Sequence, residues 1–93
     1  MDKIQIQTRS QLQDYWYRRA NGEPVSRDEH FAAARFLICT SAARRNSNRL
    51  AEGDADEGLR ILCSIGEEVP EFAGYGRYYA DRVRQWFVER YGE

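Results

Sequence analysis

Ninety-three residues, of which 42% are hydrophobic and 31% are charged, make a chain that folds around one core, so this composition excludes an intrinsically disordered protein. The formal net charge of −1 excludes a strong global attraction to nucleic acid or to anionic lipid. The charge is uneven along the chain, since residues 1–51 carry nine basic and five acidic side chains whereas residues 52–71 carry one and seven.

The start of the chain predicts an extended arm and then a short helix. Ile4 and Ile6 alternate with polar residues, which is typical of a strand or of an extended arm that lies on the body of the protein. Thr8 precedes Gln11 at the spacing of a capping box, and an Asn-Gly stop signal follows an apolar face. The sequence therefore predicts a helix over residues 9–20.

The middle of the chain contains the longest helical pattern. Ser26 and Glu29 have the spacing of a second capping box, and Gly53 is a typical C-terminal stop. These signals predict a helix over residues 27–52. Its weakest point is the Asn-Ser-Asn stretch at residues 46–48, where the side chains compete with the backbone for hydrogen bonds and the helix could bend or end early.

Two further helices are predicted in the last part of the chain. Asp54 can cap a helix over residues 55–65, and Pro70 suits the first turn of a helix over residues 70–91. The last helix has the clearest periodicity of the sequence. Its stripe consists of Phe72, Tyr75, Gly76, Tyr79, Val83, Trp86, Phe87 and Arg90.

These patterns predict a single helical domain over residues 1–93. Its fold class is all-α, a compact four-helix domain with a short extended N-terminal arm. We expect helices 9–20, 27–52 and 70–91 to supply the aromatic core, and helix 55–65 to pack across them.

The sequence offers no set of residues for catalysis or metal binding. His30 is the only histidine, and we interpret it as a solvated or capping residue because no nucleophile is placed beside it. Cys39 and Cys63 lack the paired short spacing of zinc ligands, and their apolar patterns predict reduced thiols packed in the core. We therefore expect no catalytic residue, cofactor or metal, and hence no enzyme.

The sequence also lacks the features of membrane and exported proteins. The longest strongly apolar run is much shorter than the roughly 20 residues that a membrane span needs. The first residues do not have the charged-then-apolar pattern of a signal peptide. We expect a cytoplasmic protein without membrane contact.

Arginine and aromatic residues are the most informative part of the composition. Thirteen of the fourteen basic residues are arginine, and twelve residues are aromatic. Arginine, tyrosine and tryptophan are enriched at protein interfaces, although a GC-rich genome or salt bridges with the acids of residues 52–71 would also explain the arginines. The predicted partner-binding residues are Tyr17, Arg44, Arg45, Arg49, Arg77, Tyr78, Arg84 and Tyr91.

The leading functional hypothesis is a small protein-binding module that acts as a stoichiometric inhibitor or adaptor of a larger complex. Such a chain is similar in style to the inhibitors of phages and mobile elements, including the anti-CRISPR type, although no family motif matches. The alternative is a nucleic-acid-binding regulator that uses the arginine cluster of the second helix. A third hypothesis is a homodimer that forms through Tyr78, Val88 and Tyr91.

Overall fold

A computed structural model of the chain describes residues 5–43, 48–72 and 78–92, with the backbone alone described at residues 41–43 and 48–52. Within these ranges the chain forms four helices and no strand, which confirms the all-α, four-helix class. In chain order the helices are α1 (Arg9–Ala20), α2 (Arg27–Ala43), α3 (Asn48–Ser64) and α4 (Tyr79–Tyr91).

Helix α1 has the predicted bounds because its capping signals are complete. The backbone N–H of Gln11 donates to Thr8 Oγ1 at 3.2 Å, and the backbone N–H of Thr8 donates to Gln11 Oε1 at 3.1 Å. This reciprocal pair satisfies two N–H groups that the helix itself leaves without partners. At the other end Gly22 adopts a φ of 76°, a conformation that glycine reaches without steric cost.

Residues 5–7 are the described part of the N-terminal arm. Ile6 packs against the core, whereas the Nε2 of Gln7 donates to Gln5 Oε1 at 2.6 Å. The side chains of Gln5 and Gln7 therefore bond to each other while that of Ile6 contacts the core, as the predicted alternation implies. Ile4 lies outside the described residues.

The predicted single helix over residues 27–52 is wrong. Helix α2 ends at Ala43, and α3 already begins at Asn48, close to the predicted weak point at residues 46–48. Residues 44–47 between the two helices lie outside the described residues. Two helices in place of one long helix allow both to lie on the same core.

The predicted start of the third helix at residue 55 is also wrong, because Gly53 and Asp54 lie inside α3. Glycine costs only about 1 kcal/mol in a helix interior, and the burial of Ile61 and Leu62 further along the same helix outweighs that cost. Asp54 does not cap a helix but pairs with Arg9 of α1 at 3.2 Å.

The predicted last helix, residues 70–91, begins too early. Residues 67–72 are not helical, so Pro70 does not occupy a first helical turn, and α4 begins at Tyr79. Phe72 instead packs edge-on against the ring of Tyr79, with the ring centroids 5.9 Å apart. This loop contact partly buries Phe72 without helical backbone. Tyr75 and Gly76 of the predicted stripe lie outside the described residues.

The core lies where α2, α3 and α4 meet, with α1 added along α2. Helices α2 and α3 form the most extensive of these pairings, so the predicted helix 55–65 belongs to the centre of the domain and does not merely cross it. Fully buried side chains come from all four helices: Leu12, Tyr15, Ala33, Ala34, Leu37, Ile38, Ala55, Ile61, Leu62, Val83 and Phe87.

Gly58 is a point of close approach between α2 and α3. A Cβ atom at Gly58 would lie 2.6 Å from Cγ1 of Ile38 and 3.1 Å from the backbone oxygen of Ala34. Both of these atoms belong to α2, so the backbone of α3 at Gly58 packs directly against α2. A residue with a Cβ atom would not fit here without a shift of the neighbouring atoms.

We expect Gly58→Ala to lower the free energy of unfolding by about 1 to 3 kcal/mol, because the added methyl group overpacks a buried helix contact. Gly53→Ala in the same helix is the matched control, since no described atom lies within 4 Å of its Cβ position. There the better helix propensity of alanine should raise stability by about 0.5 to 1 kcal/mol. Urea unfolding measures both, and equal shifts for the two variants would contradict the close contact.

Candidate protein-binding surface

Four arginines pair with the acidic part of the chain and are therefore not free interface residues. The Nη2 of Arg27 lies 2.9 Å from Glu67 Oε1, and its Nη1 donates to the backbone oxygen of Ile65 at 2.6 Å. The pairs are Arg9 with Asp54, Arg27 with Glu67, Arg60 with Glu57, and Arg90 with Glu67. For these four arginines the salt-bridge explanation is confirmed.

Two of the predicted partner-binding residues are strongly exposed. Tyr17 on α1 has 72% of its surface accessible, and Tyr78 at the N-cap position of α4 has 64% accessible. Large aromatic rings in water favour contact with a partner, because each buries considerable apolar area at a low entropic cost. Their role in binding stays a prediction.

Tyr91 was expected on the outer face of the last helix, and this placement is wrong. Its ring is half-buried and packs edge-on against Phe31 of α2, with the ring centroids 5.1 Å apart. It also packs at a tilt against Phe87, with the centroids 4.9 Å apart. Tyr91 follows Phe87 by four residues, and this spacing places both rings on one side of α4. Val88 is also half-buried, so Tyr78 alone of the three proposed dimer residues is strongly exposed.

Arg49 of the predicted arginine cluster does not lie on the second helix. Arg49 belongs to the first turn of α3, and only its backbone is described. Arg44, Arg45 and Arg77 lie outside the described residues. The nucleic-acid hypothesis depends on Arg44, Arg45 and Arg49. It stays a prediction, and a mobility shift at low salt tests it.

A groove lies between the N-terminal arm, α2 and α4, and it contains the remaining predicted residue, Arg84. The groove has a volume of about 460 Å³ and is open to solvent. Its floor includes half-buried Phe36 and Cys39, and Arg35 stands exposed on its wall. The full lining is Gln5, Ile6, Gln7, Ala32, Arg35, Phe36, Cys39, Thr40 and Arg84.

Charge distinguishes this groove from two other concavities of similar volume. None of the described residues that line it is acidic, whereas two are arginine. The second concavity, about 550 Å³, contains Asp56 and Glu71 beside one arginine, and the third, about 440 Å³, contains Asp14 and Glu29 beside one arginine. Of these three concavities the first is therefore the basic one, and we call it the basic groove.

Arg35 was not among the predicted partner-binding residues, although the sequence contains a signal for it. It interrupts the apolar run of residues 31–39, and a charged residue inside such a run must reach solvent or a partner. Within the described part of the chain Arg35 has no ion-pair partner. Phe36 follows it and adds the apolar surface of the groove.

His30 is not the freely solvated or capping residue that the sequence predicts. It is half-buried, and its Nδ1 lies 2.7 Å from the hydroxyl of buried Tyr15. Burial raises the pKa of Tyr15, so the hydroxyl keeps its proton, and it can donate a hydrogen bond to Nδ1 when the neutral ring carries its own proton on Nε2. Arg19 donates to the same hydroxyl at 3.4 Å. Burial and then the charge of Arg19 lower the pKa of His30, which favours the neutral ring.

The prediction that both thiols pack in the core is wrong for Cys63. Cys39 is half-buried at the basic groove, but Cys63 is exposed because the side chain before it, Leu62, takes the buried position on α3.

Among the described residues, no three histidine, cysteine or acidic side chains come together as a metal site requires. None of the helices in the described ranges combines the length and apolar character needed to cross a membrane.

Comparison of the chain with protein-family models, with curated proteins and with solved structures found no match.

The Tyr15–His30 pair predicts a pH-dependent stability. Since the pKa of folded His30 lies below its ordinary value of 6.5, the unfolded chain binds more protons below that pH. The contribution of His30 is therefore fully present above pH 6.5 and decreases as the pH falls through the lower folded-state pKa. We expect His30→Asn, which keeps an acceptor near Nδ1 but does not titrate, to lose this part of the pH dependence.

Urea unfolding of both proteins between about pH 7.5 and about pH 5.5 measures the difference. The carboxylates are common to both chains, so their titration cancels in the comparison. An unchanged pH dependence in the His30→Asn variant would contradict a neutral, tyrosine-bound histidine.

Proposed function

We propose that this chain is a non-enzymatic protein-binding module that acts as a stoichiometric inhibitor or adaptor of a larger protein, with the basic groove at the centre of its interface. The observation that carries the proposal is the combination of exposed Arg35, half-buried Arg84 and the ring of Phe36 in one concave surface. Arginine and aromatic side chains around an apolar centre are the composition of interface hot spots.

The state of the single histidine supports binding in preference to acid–base chemistry. His30 uses its Nδ1 for the hydroxyl of Tyr15, and Arg19 completes that cluster at the contact of α1 with α2. The cluster therefore joins two helices, as a structural hydrogen bond does. The basic groove, in contrast, has a wall of long side chains that a partner can contact.

The size of the chain suits a partner that is blocked or recruited. A standard interface covers about 800 Å² on each partner, which is roughly an eighth of the 6378 Å² of accessible surface here. The groove can supply the centre of such an interface, with surrounding surface as its rim. A domain this small acts on a larger protein by covering a site or by connecting two proteins.

The proposal predicts that the immobilised protein retains one partner in stoichiometric amount from a bacterial lysate. Arg35→Glu combined with Arg84→Glu should reduce the retained amount at least about tenfold, because like charges replace the central attraction. The measurement is quantitative mass spectrometry of the eluted proteins.

Arg60→Glu is the matched control, since Arg60 is an exposed helical arginine that lines a different concavity. It should leave the retained amount unchanged. If no stoichiometric partner is retained, or if the partner binds the double variant as well as the original chain, the basic groove is not the interface.

A further inference from the structure

We propose that the attachment of α1 to α2 is sensitive to pH, because protonation of His30 takes away the acceptor of the Tyr15 hydroxyl and favours the opening of α1 while α2, α3 and α4 stay packed. The opening of α1 is independent of the proposed function. It also differs from a loss of global stability at low pH, because it affects one helix.

Helix α1 is the least extensively packed helix of the described chain. Its pairing with α2 is smaller than any of the pairings among α2, α3 and α4. Leu12 and Tyr15 are its buried side chains, and an ion pair between Arg9 and Asp54, 3.2 Å apart, joins it to α3. An element with few buried contacts opens at a lower free energy than the whole domain unfolds. Helix α1 can therefore open separately from the other three helices.

The polar contacts of α1 with α2 meet at two neighbouring residues. The Nδ1 of His30 lies 2.7 Å from the hydroxyl of Tyr15, and the two rings are edge-on with their centroids 5.6 Å apart. Directly before His30, Glu29 forms an ion pair with Arg18 of α1. Both α2 residues lie in the first turn of that helix, so a change of charge at His30 acts where α1 is held.

The hydroxyl of Tyr15 lies between a group that only donates and a group that changes from acceptor to donor. Arg19 donates to the hydroxyl at 3.4 Å, and a guanidinium has no acceptor. The hydroxyl therefore uses the lone pair of His30 Nδ1, when the neutral ring carries its proton on Nε2. A proton on Nδ1 removes that lone pair. The hydroxyl then faces two donors, and the bond that holds the buried tyrosine to α2 is lost.

The charged groups of this cluster come from three helices: Asp14, Arg18 and Arg19 of α1, Glu29 of α2 and Glu57 of α3. Glu29 favours a protonated ring, but it is already paired with Arg18. Burial and the positive charge of Arg19 oppose protonation, and they hold the pKa of His30 below 6.5. Protonation therefore favours the state in which the ring is released into water.

The direction of the pH effect follows from this difference between closed and open α1. In the open state His30 lies in water with its ordinary pKa of 6.5, so the open state binds more protons below that pH. The ratio of open to closed molecules rises as the pH falls from 6.5 through the lower pKa of the closed state. Below that pKa the ratio becomes constant.

The opening of α1 also affects the basic groove. Thr8 caps α1 and directly follows the arm, whose residues 5–7 line the groove. When α1 opens, the groove loses this wall. Acidic pH therefore weakens any binding that uses the arm.

The test is native-state amide hydrogen exchange of the full chain, measured by NMR at about pH 7.5 and about pH 5.5 and expressed as protection factors. This range lies above the ordinary pKa of carboxylates and spans that of the single histidine. On acidification we expect the protection of α1 to fall about twofold or more relative to that of α3 and α4.

The variant His30→Asn keeps an acceptor but does not titrate, so the protection of its α1 should not fall relative to that of α3 and α4. An equal fall in all four helices would indicate global unfolding and would overturn the proposal. So would an unchanged protection of α1, or a relative fall that persists in His30→Asn.

Tyr15→Phe gives a second test, because it keeps the ring and removes the hydroxyl. NMR titration of the imidazole should show that the pKa of His30 rises toward 6.5, since the neutral ring loses its hydrogen bond. Tyr17→Phe, at an exposed position of the same helix, is the matched control and should leave this pKa unchanged.

A pKa of His30 that Tyr15→Phe leaves unchanged would overturn the proposal, as would nitrogen-15 shifts that place the proton of the neutral ring on Nδ1. These measurements use the chain without a partner, so failure of the proposed function in the lysate experiment would leave their outcome unaffected.

Discussion

The close contact of α2 with α3 at Gly58 is the constraint on which the rest of the domain depends. It brings the two longest helices together and buries Ala34 and Ile38 of α2 beside Ile61 and Leu62 of α3. In a chain of 93 residues the margin of stability is small, so one well-packed helix pair accounts for much of it. Helix α4 then packs on both members of the pair, and the arm together with α2 and α4 forms the basic groove.

The sequence predicts a helix correctly where local signals are sufficient to define it. Helix α1 has a complete capping box and a glycine stop, so its bounds are those predicted from the capping pattern. Gly53 carries the same kind of stop signal and yet lies inside α3. The difference is tertiary: the residues after Gly53 bury a face against α2, and this burial exceeds the propensity cost of one glycine. Local patterns cannot report that contact.

The candidate site shows the same division between what is local and what is tertiary. Exposure of Tyr17 follows from the apolar periodicity of one helix, and the prediction identified it. The groove joins Gln5, Arg35 and Arg84, which are far apart in sequence, so no periodicity of one element could place them together. Tyr91 shows a different error, because here the local signal was present. Its spacing of four residues from Phe87 indicates a buried ring, whereas the prediction followed the enrichment of tyrosine at interfaces.

Ion pairs involve at least five arginines of the described chain. The acids of α3 and of the loop after it pair with Arg9, Arg27, Arg60 and Arg90, and most of these pairs are partly exposed, so each contributes little to stability. Their larger effect is on the distribution of charge. A surface with a net charge near zero has no strong field of its own, but neutralising one group of arginines leaves positive charge concentrated where acids are absent. None of the described residues that line the basic groove is acidic, and the groove combines exposed Arg35 with the apolar surface of Phe36.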